Sequence, residues 1–207
     1  MDAPDTVIFD LDGTLADTSG DLIAAANAAL DRFGHPALLM RGHDDAVAVR
    51  GGRAMLRIAF ERLGKTEAEA EIDAAYPILL QAYGEAIDRH TVLYPGAVDA
   101  VDSLRAAGRR VGICTNKPEA LAELLLKRLG VRDLFHALIG ADTLPVRKPD
   151  PEPYQEAVRR AGGNLARSLL VGDTETDRRT ASAAGVPCIL VAFGPAGQAV
   201  HDLSPEA

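Results

Sequence analysis

Apolar residues recur along this chain in two rhythms. Short runs rich in β-branched and large aliphatic residues, each bounded by Gly, Pro or Asp, predict buried strands at "TVIFD" (Thr6 to Asp10), "RVGICT" (Arg110 to Thr115), "HALIG" (His136 to Gly140), "SLLVGD" (Ser168 to Asp173) and "PCILVAF" (Pro187 to Phe193). Between them, "EALAELLLKRLG", "PEPYQEAVRRAGG" and "TDRRTASAAG" repeat apolar residues at helical spacing and end on glycine, a common helix stop. That alternation predicts an α/β fold: a Rossmann-like parallel sheet with helices on both faces.

One stretch breaks the alternation. From about Asp17 to Arg89 there is no strand pattern, only Ala- and Leu-rich helical segments such as "GDLIAAANAALDRFG" and "GGRAMLRIAFERLG". So much helix after the first strand predicts an inserted all-α subdomain over residues 17–90, with the catalytic core formed by 1–16 and 91–207. "YPGAVDAVDSLRAAG" (Tyr94 to Gly108) returns the chain to the core. The Gly-, Pro- and Ala-rich segment after Phe193 carries no assignable pattern.

Composition narrows the classes. With 207 residues, 47% of them hydrophobic, the chain can bury a sizeable core, and with no Trp and 4% aromatics that core is mostly Ala, Leu, Val and Ile. A net charge of −8 argues against nucleic acid or an anionic membrane as the main partner, but not against a small anionic substrate, which responds to local charge. Cys114 and Cys188 each lie inside an apolar run and read as buried thiols of a reducing compartment. No basic segment leads into an apolar one at the N-terminus, and no apolar run nears the ~18 residues of a bilayer span, so a cytoplasmic location is expected.

In an open α/β sheet the site lies beyond the carboxyl ends of the strands. There the strands would deliver Asp10 with Asp12 close behind, Thr115 with Asn116, and Asp173, while Lys148 sits in the loop "VRKPDPEP". Carboxylates gathered about 4 Å apart repel by roughly 4 kcal/mol per pair at an effective dielectric near 20, so a cation or a proton must offset them. An oxygen-only ligand set suits Mg²⁺. His35, His43, His90, His136 and His201 are scattered without ligand spacing, which makes zinc a poor fit. With its charge balanced by Mg²⁺ and Lys148, Asp10 can act as a nucleophile through an aspartyl-phosphate, and Asp12 can carry the proton to the leaving group and take one from water. Thr115, Asn116 and neighbouring backbone N–H groups are candidates to hold phosphoryl oxygens. A lone strand-end Asp is usually a turn former or helix cap; D-x-D-G-T, by contrast, arises by chance on the order of once in 10⁵ positions.

"FDLDGTL" (Phe9 to Leu15), "CTNKP" (Cys114 to Pro118), "RKPDPEPY" (Arg147 to Tyr154) and "VGDTETD" (Val171 to Asp177) resemble, in order, the four motifs of the haloacid dehalogenase-like hydrolases. The resemblance covers nearly the whole chain, the helical insert resembling that superfamily's small α-helical cap. It implies Asp10 as nucleophile and Mg²⁺ ligand, and Asp12 as general acid/base lending its backbone carbonyl to the metal. It further implies Thr115 on the phosphoryl group, Lys148 steadying nucleophile and phosphate, Asp173 completing the Mg²⁺ site, and Asp177 behind the ligands rather than on the ion. The carboxylate at Asp12 favours phosphate ester chemistry over halide displacement, which needs no proton donor. The Thr-Asn-Lys-Pro and Lys-Pro-Asp-Pro runs are most similar to the phosphoglycolate phosphatase branch, which implies a small phosphorylated metabolite, 2-phosphoglycolate foremost, as substrate. Its carboxylate calls for a cation. "VRGGRAMLR" (Val49 to Arg57) offers Arg50 and Arg53 for bidentate contact, against the plainer reading of a solvated helix face. The chain departs from its relatives by stopping soon after the last strand, where they usually add a closing helix. A phosphosugar mutase and a non-catalytic regulatory or binding protein are the alternatives; the latter normally shows as a lost nucleophile or acid/base, and both residues are present.

Overall fold

The computed structural model describes residues 4–206. β1 (Thr6–Phe9) opens the core and β2 (Ala16–Asp17) leads out of it. Four helices follow: α1 (Ser19–Arg32), α2 (Asp45–Ala48), α3 (Gly52–Arg62) and α4 (Glu69–Glu85). β3 (Val92–Leu93) returns the chain, and then strand and helix alternate: α5 (Ala97–Ala106), β4 (Arg110–Cys114), α6 (Glu119–Arg128), β5 (Ala137–Ile139), α7 (Glu152–Arg160), β6 (Ser168–Gly172), α8 (Glu175–Ala184) and β7 (Cys188–Leu190). By its contacts the chain divides into two compact units, one made of the chain up to Asp17 together with the chain from Leu93 onward, the other of Thr18–Val92.

In the first unit five parallel strands stand in the order β5-β4-β1-β6-β7. β1 is buried along its whole length, as a central strand covered on both faces must be, and that is why "TVIF" shows no polar alternation. From β1 the chain builds outward to β4 and β5, then crosses back to lay β6 against the other side of β1. The order therefore reverses between β1 and β6, the place where open α/β sheets hold their ligands. Phe9 is in register with Ile113 on one side and Val171 on the other, so the residues that follow each strand leave the sheet at one edge. Asp10, Thr115 and Asp173 are three of them.

The segment beyond Phe193 covers the far edge. A 3₁₀ helix, Gly197–Leu203, buries Val200 in the core, and the Glu206 N–H donates to the Cys188 carbonyl at 3.1 Å while its carboxylate accepts from the Cys188 N–H at 2.8 Å. A turn and a pseudo-strand contact thus do the work of a closing helix, capping groups that an edge strand would leave open.

The second unit is all helical apart from the start of β3. Its core is built from Leu30 on α1, Met55, Leu56 and Phe60 on α3, and Ile72, Leu79 and Tyr83 on α4, each at most 1% exposed. Each such side chain stabilises the unit by about 1.5–3 kcal/mol relative to an exposed one. Two buried acids, invisible to hydrophobic periodicity, tie its segments together. Asp21 accepts from the His90 and Thr91 N–H groups and the Thr91 hydroxyl at 2.8–3.0 Å. Asp44 accepts from Arg62 and from the Met40 N–H. Among the described residues no helix is long and apolar enough to cross a membrane.

Candidate active site

The β1 end carries Asp10 inward, where the Leu11 N–H donates to its Oδ1 at 2.7 Å and Lys148 Nζ lies 3.1 Å from the same oxygen. Lys148 arrives from the loop ahead of α7 and is 3% exposed; its ammonium also meets Asp177 Oδ1 at 2.6 Å. Asp173 follows β6 at the other side of the crevice. The Thr14 hydroxyl donates to its Oδ1 at 3.0 Å, and its Oδ2 is buried with no hydrogen-bond partner.

Oxygens of Asp10, Asp173 and Asp177 all lie within 4.8 Å of one another. At an effective dielectric near 20 each pair repels by about 3–4 kcal/mol. The one ammonium among them, Lys148, leaves two negative charges uncompensated, and the protonation equilibria respond. Burial, with the charges of Asp177 and Asp12 added and Lys148 opposing, pushes Asp10 up to about 7. Burial again, reinforced by Asp10 and Asp177, pushes Asp173 up to about 8. Burial disfavours the Lys148 ammonium, yet Asp10 and Asp177 raise its pKa on balance.

The cluster fits a hard divalent cation. Two uncompensated charges, an oxygen-only donor set and a buried carboxylate oxygen with no partner are what such an ion satisfies. The turn beneath is shaped for close approach: Gly13 has φ +81°, and a Cβ placed on it would fall 2.2 Å from Asp173 Oδ2. Gly194, just after the last strand, comes as close on the other side, where a Cβ would lie 2.5 Å from the Gly13 carbonyl oxygen.

Asp177 is otherwise occupied. Its Oδ1 takes Lys148, and its Oδ2 accepts from the Asp173 N–H at 3.3 Å, the Thr174 hydroxyl at 2.7 Å and the Thr174 N–H at 3.1 Å, the last belonging to the capping box of α8. It joins the cluster while serving as helix cap and lysine partner together.

The Asp12 side chain meets Lys117, whose Nζ lies 2.8 Å from Asp12 Oδ1. Thr115 is 3% exposed at the end of β4, its hydroxyl accepting from the Lys117 N–H at 3.1 Å. Asn116 donates its side-chain amide to the Lys148 carbonyl at 3.0 Å, tying the two lysine-bearing loops together. Lys117 and Thr14 were not singled out from the sequence. Both lie inside motif segments, and the signal was the motif residues themselves rather than spacing. Cys114, immediately before Thr115, is buried, which pushes its thiol up to about 12 and keeps it an inert core group.

Arg50 and Arg53, the two offered for the substrate carboxylate, lie in the helical unit with Arg57. Arg53 pairs with Asp73 at 2.5 Å and stacks its guanidinium over the Tyr76 ring at 5.1 Å, while Arg57 pairs with Glu69 at 2.7 Å. Arg50 is exposed where the chain leaves α2, just before Gly51 at φ +99°.

Comparisons with known proteins place the chain in a family. The family model of the haloacid dehalogenase-like hydrolases matches residues 7–191. The chain is 38% identical over 201 residues to a phosphoglycolate phosphatase of Mesorhizobium japonicum, covering 97% of this chain and 88% of that protein. It is 39% identical over 194 residues to one of Xanthomonas campestris pv. campestris, covering 94% and 86%. A crystal structure described as a predicted phosphoglycolate phosphatase from Haemophilus somnus superposes with a TM-score of 0.77 at 27% identity, covering 92% of this chain and 86% of that one. Matched by that family model over most of its length, and 38% identical to a relative across nearly the whole chain, the chain belongs to the haloacid dehalogenase-like hydrolases.

Proposed function

We propose that this phosphatase of the haloacid dehalogenase-like family hydrolyses small phosphomonoesters with Mg²⁺ through an aspartyl-phosphate, with 2-phosphoglycolate as the favoured substrate. The observation that carries the reading is the gathering of Asp10, Asp173 and Asp177, with Lys148 paired to two of them and one Asp173 oxygen buried and unpartnered. Relatives that bear the name phosphoglycolate phosphatase at 38–39% identity support the substrate assignment.

Asp10 and Asp173, with the Asp12 carbonyl, would hold the ion, leaving Asp177 to orient Lys148. When bound, Mg²⁺ supplies charge neutralisation for the carboxylates and the phosphoryl oxygens. The rest falls to side chains. A carboxylate oxygen of Asp10 attacks phosphorus, the P–O bond to the ester oxygen breaks, and Asp12 gives its proton to the departing alkoxide. Asp12, now a carboxylate, then takes a proton from water as that water's oxygen bonds to phosphorus and the P–O bond to Asp10 breaks. General acid–base help of this kind contributes typically 10²–10⁴-fold. Lys148 keeps Asp10 directed and places positive charge by the transferring group, and Thr115 offers its hydroxyl to a phosphoryl oxygen.

Of the two arginines expected to read the substrate carboxylate, Arg53 is committed to Asp73 and Tyr76. Arg50 carries that role in this reading.

The test is phosphate release with and without Mg²⁺ across a panel of phosphomonoesters led by 2-phosphoglycolate, together with Asp10→Asn. The expected result is Mg²⁺-dependent release with a strong preference for 2-phosphoglycolate, abolished in a folded Asp10→Asn protein. Retained turnover in Asp10→Asn would sink the mechanism. Broad, unselective release would remove the substrate assignment.

A further inference from the structure

Two lysines meet the aspartates at the strand ends. Lys148 serves Asp10 and Asp177; Lys117 meets Asp12 at 2.8 Å, with the lysine side chain 4% and the aspartate side chain 13% exposed. Lys117 is held at both ends of its peptide: its N–H donates to the Thr115 hydroxyl at 3.1 Å and its carbonyl accepts from the Ala141 N–H at 2.9 Å, with Pro118 leading into α6. The neighbouring Asn116 amide anchors the same loop to the Lys148 carbonyl. On the other side, Asp12 sits in a tight turn closed by the Gly13 N–H donating to the Ala16 carbonyl at 2.9 Å and the Leu15 N–H to the Leu11 carbonyl at 3.0 Å. A rigid turn presents the carboxylate and a rigid loop presents the ammonium.

A loop tie alone would not call for a buried charge, since a neutral hydrogen bond joins loops without desolvating an ammonium. The pair does something a neutral tie does not. It supplies the Asp12 carboxylate, whose charge is felt by Asp10, with a fixed cation, so that the loop as well as the turn sets the direction of that group. We infer that Lys117 is a positioning residue for Asp12, fixing where the Asp12 carboxyl group stands relative to Asp10 as the leaving oxygen departs and as water attacks. The inference rests on the phosphatase reading above.

A double-mutant cycle tests it, with 2-phosphoglycolate and p-nitrophenyl phosphate as substrates, Mg²⁺ present, and the thermal midpoint of every variant recorded. Lys117→Met is expected to lower kcat by about 10²-fold, inside the span of general acid–base catalysis, with KM within about threefold of the parent. In an Asp12→Asn background the same substitution should cost less than about threefold, because the group it positions is already gone. Lys117→Arg should recover most of the loss, since it keeps a cation on Asp12. Where Lys117→Met fails to fold, Lys117→Gln takes its place, keeping one N–H for Asp12 without the charge. Equal losses in both backgrounds, a loss confined to KM, or an unchanged kcat would each overturn the inference. A parent protein that releases no phosphate from either ester brings down the phosphatase reading and this inference with it. A parent impaired by Asp12→Asn yet indifferent to Lys117→Met overturns this inference alone.

Discussion

The Thr14 hydroxyl donates to one oxygen of Asp173 over 3.0 Å and leaves the other oxygen buried without a partner. A buried carboxylate oxygen in that state is expensive in the metal-free protein, and a divalent cation relieves it. Mg²⁺ at 100 times its dissociation constant is expected to stabilise the fold by about 2.7 kcal/mol, and chelation to reverse the gain. Differential scanning fluorimetry with Mg²⁺ and then EDTA measures it, and an unmoved midpoint would contradict the site.

Asp173→Asn and Asp177→Asn should move stability in opposite directions without metal. The first removes a group whose ionisation burial, Asp10 and Asp177 all oppose, so above about pH 8, where that carboxyl is charged, the midpoint in EDTA should rise, by about 2–4 °C for each kcal/mol relieved. The second takes a partner from Lys148 and weakens the α8 cap, itself worth about 1 kcal/mol, so the midpoint should fall. Only Asp173→Asn should also erase the Mg²⁺ response.

The pH dependence of the metal-free protein follows from Asp10 near 7 and Asp173 near 8, both above the ordinary 3.8. A carboxyl whose folded pKa is raised binds more protons in the folded state, so stability must fall as pH rises through the interval between the two values. The thermal midpoint in EDTA is therefore expected to drop between about pH 4 and pH 8, and saturating Mg²⁺ to flatten the slope by displacing the protons. A midpoint that climbs over that range without metal would contradict the electrostatic account.

Gly13→Ala should damage fold and site together. Its φ of +81° disfavours any Cβ by about 1–2 kcal/mol, and that Cβ would lie 2.2 Å from Asp173 Oδ2. Loss of phosphate release with the loss of the Mg²⁺-induced shift is the expected outcome, checked by the same two assays.

Asp44→Ala tests the helical unit. The Arg62 side-chain hydrogen bond holds the Asp44 carboxyl well below its ordinary range despite burial, so the pair stabilises above the ordinary carboxylate pKa and is lost only in strong acid. Removing Asp44, itself 1% exposed, leaves the Arg62 guanidinium with the Leu38 carbonyl but no carboxylate, and takes the acceptor from the Met40 N–H. A loss of about 3 kcal/mol is expected, the low end for a broken buried pair because Arg62 is partly solvated; urea unfolding followed by helical circular dichroism reads it.

How much of this was written in the sequence differs by residue. Asp10 and Asp12 were legible because a strand of four buried residues followed at once by D-x-D-G-T is a local pattern, and the alternation of strand and helix needs only local periodicity to be read. Asp173 was legible for the same reason at the end of β6. The two-residue strands β2 and β3 were not, since neither is long enough to show a period. The closing of the far sheet edge by Val200 and Glu206 was hidden as well, because it depends on contacts rather than on a helical repeat.

The chain alone determined which chemistry-bearing residues stand at strand ends, because strand formation and the parallel order follow from hydrophobic pattern and short connections. Tertiary structure decided which partner each of them takes. Lys148 divides itself between Asp10 and Asp177, Lys117 goes to Asp12, Thr14 to one oxygen of Asp173, and Arg53 to Asp73. Thr14 and Asp173 lie 159 residues apart. Partner choice at such separations is set by register and burial, where distances of a few ångströms in a low-dielectric pocket separate one pairing from another, and no local pattern encodes them.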